Sequence, residues 1–454
     1  MSGQSGDELE ASTHAPGESG TVPARAAPAG SPPAARLHSR VVRLGRPLDL
    51  LDAAGETGFV WRSDAAELVG KGEAARIPLG TGRERLGQAA DQVAELLGGA
   101  QVDDPEGSGL GPVAVAAVPF DDRAPGQLTI PALLLRRGAD GATWAVVTGT
   151  QRAPLPPDPD ALAGTGDRDG PWPRVRAVRA PLGQQQADWE AAVTAALRAI
   201  AGGRLDKVVL ARELEVDTDR PFRRAAVLRR LRDRAAGTYL YASGAFLGAS
   251  PELLVARRGG VATSQPMAGT VASGGGADAL QPASPAAVAD RLAWLQTSDK
   301  TAAEHGVVVD AVAEILAKVA NDVEVTPAEV VRLPTVAHLA TRVTAKLTEP
   351  LPSALELAGL LHPTPAVGGV PRDLALAVLA ELEPFARGAY AGPVGWVDAR
   401  GDGEWAIAIR CATLTPGGAR LVAGAGIVAG SDPEAEWAET EWKAAAVLDA
   451  LTGR

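Results

Sequence analysis

From Val41 onward, short apolar runs of strand length recur between brief, turn-rich links, and this rhythm limits the fold more than any other feature of the chain. Residues 59–62 (Phe-Val-Trp-Arg), 113–120, 132–135 and 143–148 are short and rich in Val, Leu and aromatic side chains, so they read as strands. Residues 207–212 read the same way, and 238–241 and 245–247 read as strands closing on a turn at Ser250-Pro251-Glu252. Helical spacing appears over 187–201, through Trp189, Ala192, Ala196, Leu197 and Ile200. It returns over 223–235, over one long stretch at 286–319, and over 433–451. Strands joined by hairpin-like links, with helices outside them, predict an α+β fold: large antiparallel β-sheets packed as a core and flanked by helices.

Residues 1–36 are rich in Ser, Gly, Pro, Ala and Glu, with almost no large apolar group. Such a segment cannot offset its ordering entropy by burial, which predicts a disordered tail. Residues 37–186 and 187–454 are expected to form one globular unit, the first the N-terminal part of the fold and the second the part that carries the chemistry. The Pro/Asp/Gly-rich stretch at 153–173 reads as a surface loop, not a domain break. A net charge of −11 argues against nucleic acid as a partner. No run of about 18 apolar residues suggests a membrane span, and the N-terminus lacks the basic and apolar regions of a secretory signal. Cys411 is the only cysteine, so no intrachain disulfide can form. These features together predict a cytoplasmic location.

The lysines are few. Lys71, Lys207, Lys300, Lys318, Lys346 and Lys443 are the whole set, against 44 basic residues in total. Arginine cannot give up its proton in a protein, so base chemistry by a cationic side chain falls to these lysines. Lys207 opens the apolar strand Lys-Val-Val-Leu-Ala-Arg, where burial would disfavour its charged form and suit it to act as a base. Glu252 stands at a turn between apolar segments, where burial would raise its pKa and suit a general acid.

Gly430-Ser431-Asp432-Pro433 announces the last helix. Glu436, Glu439 and Lys443 then share a face that continues into Ala446, Val447 and Ala450. The spacing also fits a solvated Glu-to-Lys pair worth about 0.2–0.5 kcal/mol. Glu304 likewise shares a stripe with Val308, Ala311 and Ile315. Carboxylates on apolar faces must be paired, protonated or metal-bound, and two from different helices suit Mg²⁺. Gly424 and Gly426 precede the last helix. Their backbone amides could hold a substrate carboxylate, or the glycines could serve only close strand packing.

Taken in order, nine blocks resemble the chorismate-utilising enzymes. They are Leu-Asp-Lys-Val-Val-Leu-Ala-Arg (205–212), Phe-Leu-Gly-Ala-Ser-Pro-Glu-Leu-Leu (246–254) and Pro-Met-Ala-Gly-Thr (266–270). Ser-Asp-Lys-Thr-Ala-Ala-Glu-His (298–305), Val-Ala-His-Leu (336–339) and His-Pro-Thr-Pro-Ala-Val-Gly-Gly-Val-Pro-Arg (362–372) follow. Tyr-Ala-Gly-Pro-Val-Gly (390–395), Ala-Ile-Arg (408–410) and the stretch from Gly424-Ala-Gly426 to Glu439-Thr-Glu-Trp-Lys443 complete the set. The likeness is strong over 187–450 and weak over 40–186.

The resemblance implies a Mg²⁺-dependent isochorismate synthase with chorismate as its partner. It implies Lys207 as the base that activates water and Glu252 as the acid. Glu304 and Glu439 would be the metal ligands, with Glu436 close by. Tyr390, Arg410, Lys443 and the backbone at Gly424 and Gly426 would hold substrate carboxylates. Gly269, Thr270, His338 and Ala366 would line the pocket. A monomer with no obligatory glutamine amidotransferase is also implied.

Within the family, the ammonia-using anthranilate and aminodeoxychorismate synthases lack a lysine where Lys207 stands. The latter carry a nucleophilic lysine where this chain has Ala268, and the Leu-Leu-Glu-Ser feedback signature is replaced by Leu50-Leu51-Asp52-Ala53. Salicylate synthases, which go on to eliminate pyruvate, share the lysine and glutamate but have a threonine where Ala366 stands. Ala366 therefore favours a reaction that stops at isochorismate. A non-catalytic binding subunit is disfavoured because every implied catalytic group is present.

Overall fold

The two longest strands pair with each other. Lys207–Thr218 and Gly418–Val428 run antiparallel in unbroken register, from Lys207 opposite Val428 to Asp217 opposite Gly418. The computed structural model describes residues 36–45, 48–138, 140–150, 171–273 and 284–453. The expected tail therefore lies outside the described residues except for Arg36, as does most of the loop at 153–173.

Around that pair thirteen described strands form one sheet. Outward from Gly418–Val428 come Cys411–Thr415, Phe246–Ser250, Tyr239–Ser243, Phe59–Arg62, Glu67–Lys71, Leu133–Arg137, Thr143–Gly149, His38–Arg43 and Gln101–Asp103. On the other side lies Val175–Arg179, and the short strand Gly369–Val370 also pairs with Lys207 and Val208. Pairing is antiparallel except between His38–Arg43 and Gln101–Asp103. A second, nine-stranded sheet centres on Leu253–Arg258, Gly403–Ile407 and Pro393–Asp398. A third joins Met267–Ala272, Val336–Ala340 and Glu329–Arg332. The architecture is the α+β one, and both parts of the chain contribute blocks of adjacent strands to each large sheet.

Strand alternation divides the core. Trp61 joins Leu68, Leu128 and Trp405 in a cluster shared by the two large sheets, while its neighbour Val60 enters a second cluster. In that second cluster Leu51, Val227, Leu231, Val447 and Leu451 come from the helices Leu50–Ala54, Arg224–Arg234 and Pro433–Thr452. Burying each such aliphatic side chain contributes about 1.5–3 kcal/mol. Trp61 Nε1 also donates to Glu404 at 2.8 Å, a polar tie between the sheets.

The long helix expected over 286–319 is two helices, Pro285–Thr297 and Asp299–Leu316. Ser298 between them is extended (φ −76°, ψ 116°), and its hydroxyl accepts the Thr301 N–H as an N-cap. Apolar periodicity continues across the break and conceals it. The last helix starts where its cap predicts: Asp432 accepts the Ala435 N–H, and Pro433 occupies the first turn. Among the described residues no helix is long and apolar enough to cross a membrane.

Candidate active site

Where the first strand pair meets the third sheet and two helices, a cavity of about 190 Å³ opens. Lys207, Glu252, Gly269, Thr270, Glu304, His338, Ala366, Tyr390, Arg410, Gly424, Gly426, Glu436, Glu439 and Lys443 all line it. Lys207 opens its strand, and Gly424 and Gly426 lie on the neighbouring one. Glu252 occupies the link between Phe246–Ser250 and Leu253–Arg258. Thr270 and His338 are register partners in the third sheet. Glu304 comes from Asp299–Leu316, and Glu436, Glu439 and Lys443 from Pro433–Thr452.

Both lysines of the cavity are paired with its carboxylates. Lys207 Nζ donates to Glu304 Oε1 at 2.8 Å, with the lysine only 4% exposed. Lys443 Nζ reaches Glu439 Oε1 at 2.5 Å and the Gly424 carbonyl at 2.9 Å. Glu252 is 3% exposed with no partner for Oε1. Burial pushes its pKa up to about 7, so near neutral pH it can hold a proton to give away. Burial and the neighbouring Glu439 charge also push Glu436 upward.

Opposite charge is offered by Arg410. Its guanidinium is buried, its Nε has no partner, and among the described residues no carboxylate forms an ion pair with it. One NH₂ group contacts His338 Nε2 at 2.9 Å. His338 Nδ1 lies 3.0 Å from the Gly269 carbonyl, which can only accept, so the proton is assigned to Nδ1 and Nε2 accepts from Arg410. Burial and the Arg410 charge hold that imidazole neutral. Arg410 itself has φ 54°, a left-handed conformation that costs a non-glycine residue about 1–3 kcal/mol. A strained, buried, incompletely partnered cation at a cavity wall suits an anionic ligand.

The carboxylates test the expected metal. Among the described residues no group of three or more His, Cys, Asp or Glu is gathered closely enough to hold a metal alone. Mg²⁺ does not require one, because it takes one or two carboxylates and fills its octahedron with water and substrate oxygens. Glu304, Glu436 and Glu439 share the cavity wall, and the rise in Glu436 comes partly from their mutual repulsion. That donor set fits a hard divalent cation.

Two glycines are demanded by space. A Cβ on Gly426 would lie 3.0 Å from Lys207 Cε and 3.1 Å from Glu304 Oε1. Gly269 has φ +71°, and a Cβ there would lie 2.3 Å from Thr301 Cγ2. Gly269→Ala is therefore expected to lower unfolding stability by about 1–3 kcal/mol, read as a fall in the urea midpoint. Met267, Trp294 and Thr301 also line the cavity and were not singled out from the sequence. Thr301 lay inside a recognised block, but its inward direction depends on the helix restart at Ser298. Glu304 sits at the edge of the buried face of its helix, beside Thr301 and His305, not at the centre of an apolar stripe.

A buried acid, a buried lysine, an unpaired arginine and grouped carboxylates define an enzyme site for a small anionic substrate. The chain belongs to the chorismate binding enzyme family, whose model matches residues 43–452. It is 34% identical to isochorismate synthase DhbC of Bacillus subtilis, over 91% of this chain and 98% of that protein. It is 36% identical to isochorismate synthase EntC of Escherichia coli K12, over 74% of this chain and 81% of that one. Its fold matches the solved structure of MenF, the menaquinone-specific isochorismate synthase from Escherichia coli. That match has a TM-score of 0.74 and 29% identity, and covers 92% of this chain and 95% of the other.

Proposed function

We propose that this protein is an isochorismate synthase that adds water at C2 of chorismate and expels the C4 hydroxyl. The observation that carries the reading is Glu252, a buried carboxyl pushed up to about 7 in the same cavity as the buried amine of Lys207. Acid and base with separated environments are what paired proton transfer needs. The names of the relatives support the same reaction.

Lys207 takes a proton from water as the oxygen bonds to C2. The ring double bond shifts, the C4–O bond breaks, and Glu252 gives its proton to the departing hydroxyl. One water enters and one leaves, so the net change is an isomerisation. Arg410, Tyr390, Lys443 and the Gly424/Gly426 backbone hold the substrate carboxylates, while Gly269, Thr270, His338 and Ala366 shape the wall. Glu304 and Glu439, with Glu436 beside them, would hold Mg²⁺, which supplies positive charge to anchor the ring carboxylate. Glu304 is also the hydrogen-bond partner of Lys207, which places the base beside the carboxylates that would hold the metal.

Glu439→Gln is expected to weaken apparent Mg²⁺ affinity by about tenfold or more. A Mg²⁺ titration of the variant that overlays the unmodified protein would remove Glu439 from the ligand set. Turnover in ¹⁸O-labelled water tests the chemistry itself. Isochorismate carrying one ¹⁸O at C2 supports water addition, and unlabelled product would mean that the hydroxyl migrates within the substrate.

A further inference from the structure

The link at 362–372 borders two cavities. Ala366 and Val367 line the active one. His362, Pro363 and Arg372 line another of about 640 Å³, within the range of about 300–1,000 Å³ usual for small-molecule sites. Its remaining walls include Phe120, Leu376, Leu379 and Phe385, an apolar lining.

The charges around it do not cancel. Arg123 pairs with Asp121 and Arg387 with Glu383. Arg85 donates to the carbonyls of Pro119, Asp121 and Ala124. Arg83 and Arg372 remain; among the described residues neither forms an ion pair, and Arg372 also donates to the His362 carbonyl. Burial, with the Arg83 charge nearby, brings Arg372 down to about 10. Asp122 is the one carboxylate of the lining outside the two pairs. A local excess of positive charge in a chain of net charge −11 marks a place for an anion.

His362 supplies the directional group. It is 7% exposed, its Nδ1 has no partner, and its Nε2 makes only a long 3.4 Å contact with the Phe120 carbonyl. Burial pushes its pKa down to about 3, so the ring is neutral; the Phe120 carbonyl can only accept, which assigns the proton to Nε2 and leaves Nδ1 a bare acceptor.

We propose that this second cavity binds an apolar organic acid, its carboxylate met by Arg83 and Arg372 and its body packed against Phe120, Leu376 and Phe385. The test is calorimetric titration of the full chain with 1-naphthoate. Saturable one-to-one binding is expected, with neutral 1-naphthamide at least tenfold weaker. Arg83→Ala, which removes the charge, and Ala380→Trp, which fills the space, should each weaken 1-naphthoate at least tenfold with unchanged melting temperature. Arg410→Ala, in the other cavity, should leave it unchanged. Absence of binding, equal affinity for acid and amide, indifference to both Arg83→Ala and Ala380→Trp, or loss in Arg410→Ala would each overturn the assignment. None of these readings depends on chorismate turnover, so the proposal stands or falls apart from the isochorismate synthase reading.

Discussion

Lys207→Ala is expected to reduce chorismate turnover by about 10²–10⁴-fold, the range for removing a general base, while Mg²⁺ still binds. The geometry makes the two halves of that result separable. Lys207 Nζ is 2.8 Å from Glu304, so the substitution removes the base and also the side chain that would share that carboxylate with a metal. Apparent Mg²⁺ affinity should therefore hold or rise as turnover collapses. A structural role alone would lower both together. Turnover within about threefold of the unmodified protein would refute Lys207 as the base. A fall in Mg²⁺ affinity parallel to the loss of turnover would point to a collapsed site.

The second large effect belongs to Glu252. Glu252→Gln keeps the shape of a side chain that is 3% exposed but cannot donate a carboxylic proton. A loss of about 10²–10⁴-fold in kcat is expected. The pH dependence gives the more specific reading. An acid must be protonated to act, and burial has lifted this one to about 7. In the unmodified protein kcat/KM should fall as pH rises through about 7, since the proton is lost there, and the residual activity of Glu252→Gln should lack that alkaline limb. Persistence of the same limb in the variant would assign it to another group.

Much of this site is legible in the sequence because its local parts are self-contained. The Asp432-Pro433 start fixes the phase of the last helix, and that phase alone puts Glu436, Glu439 and Lys443 together. Lys207 is conspicuous because arginine supplies nearly all the remaining positive charge. What the sequence hides is long-range. The Lys207–Glu304 pair joins a strand and a helix 97 positions apart, and only the sheet order brings them into contact. The break at Ser298 is masked because apolar residues continue on both sides of it. The left-handed Arg410 and the His338 tautomer have no local signature, since each depends on which carbonyl or guanidinium lies opposite.

On the proposed reading, the finer choice of product turns on Ala366. It lines the active cavity with a methyl group and offers no hydroxyl to the substrate. Ala268, also in the wall, offers no amine. Both positions are consistent with water as the sole nucleophile and with a reaction that ends after one substitution.

The most direct test is to incubate the protein with chorismate and Mg²⁺, without ammonia, and identify every product by chromatography and mass spectrometry. Isochorismate in equilibrium with chorismate, with no pyruvate released, is the predicted result. Salicylate with equimolar pyruvate, or no conversion until ammonia is supplied, would contradict the account.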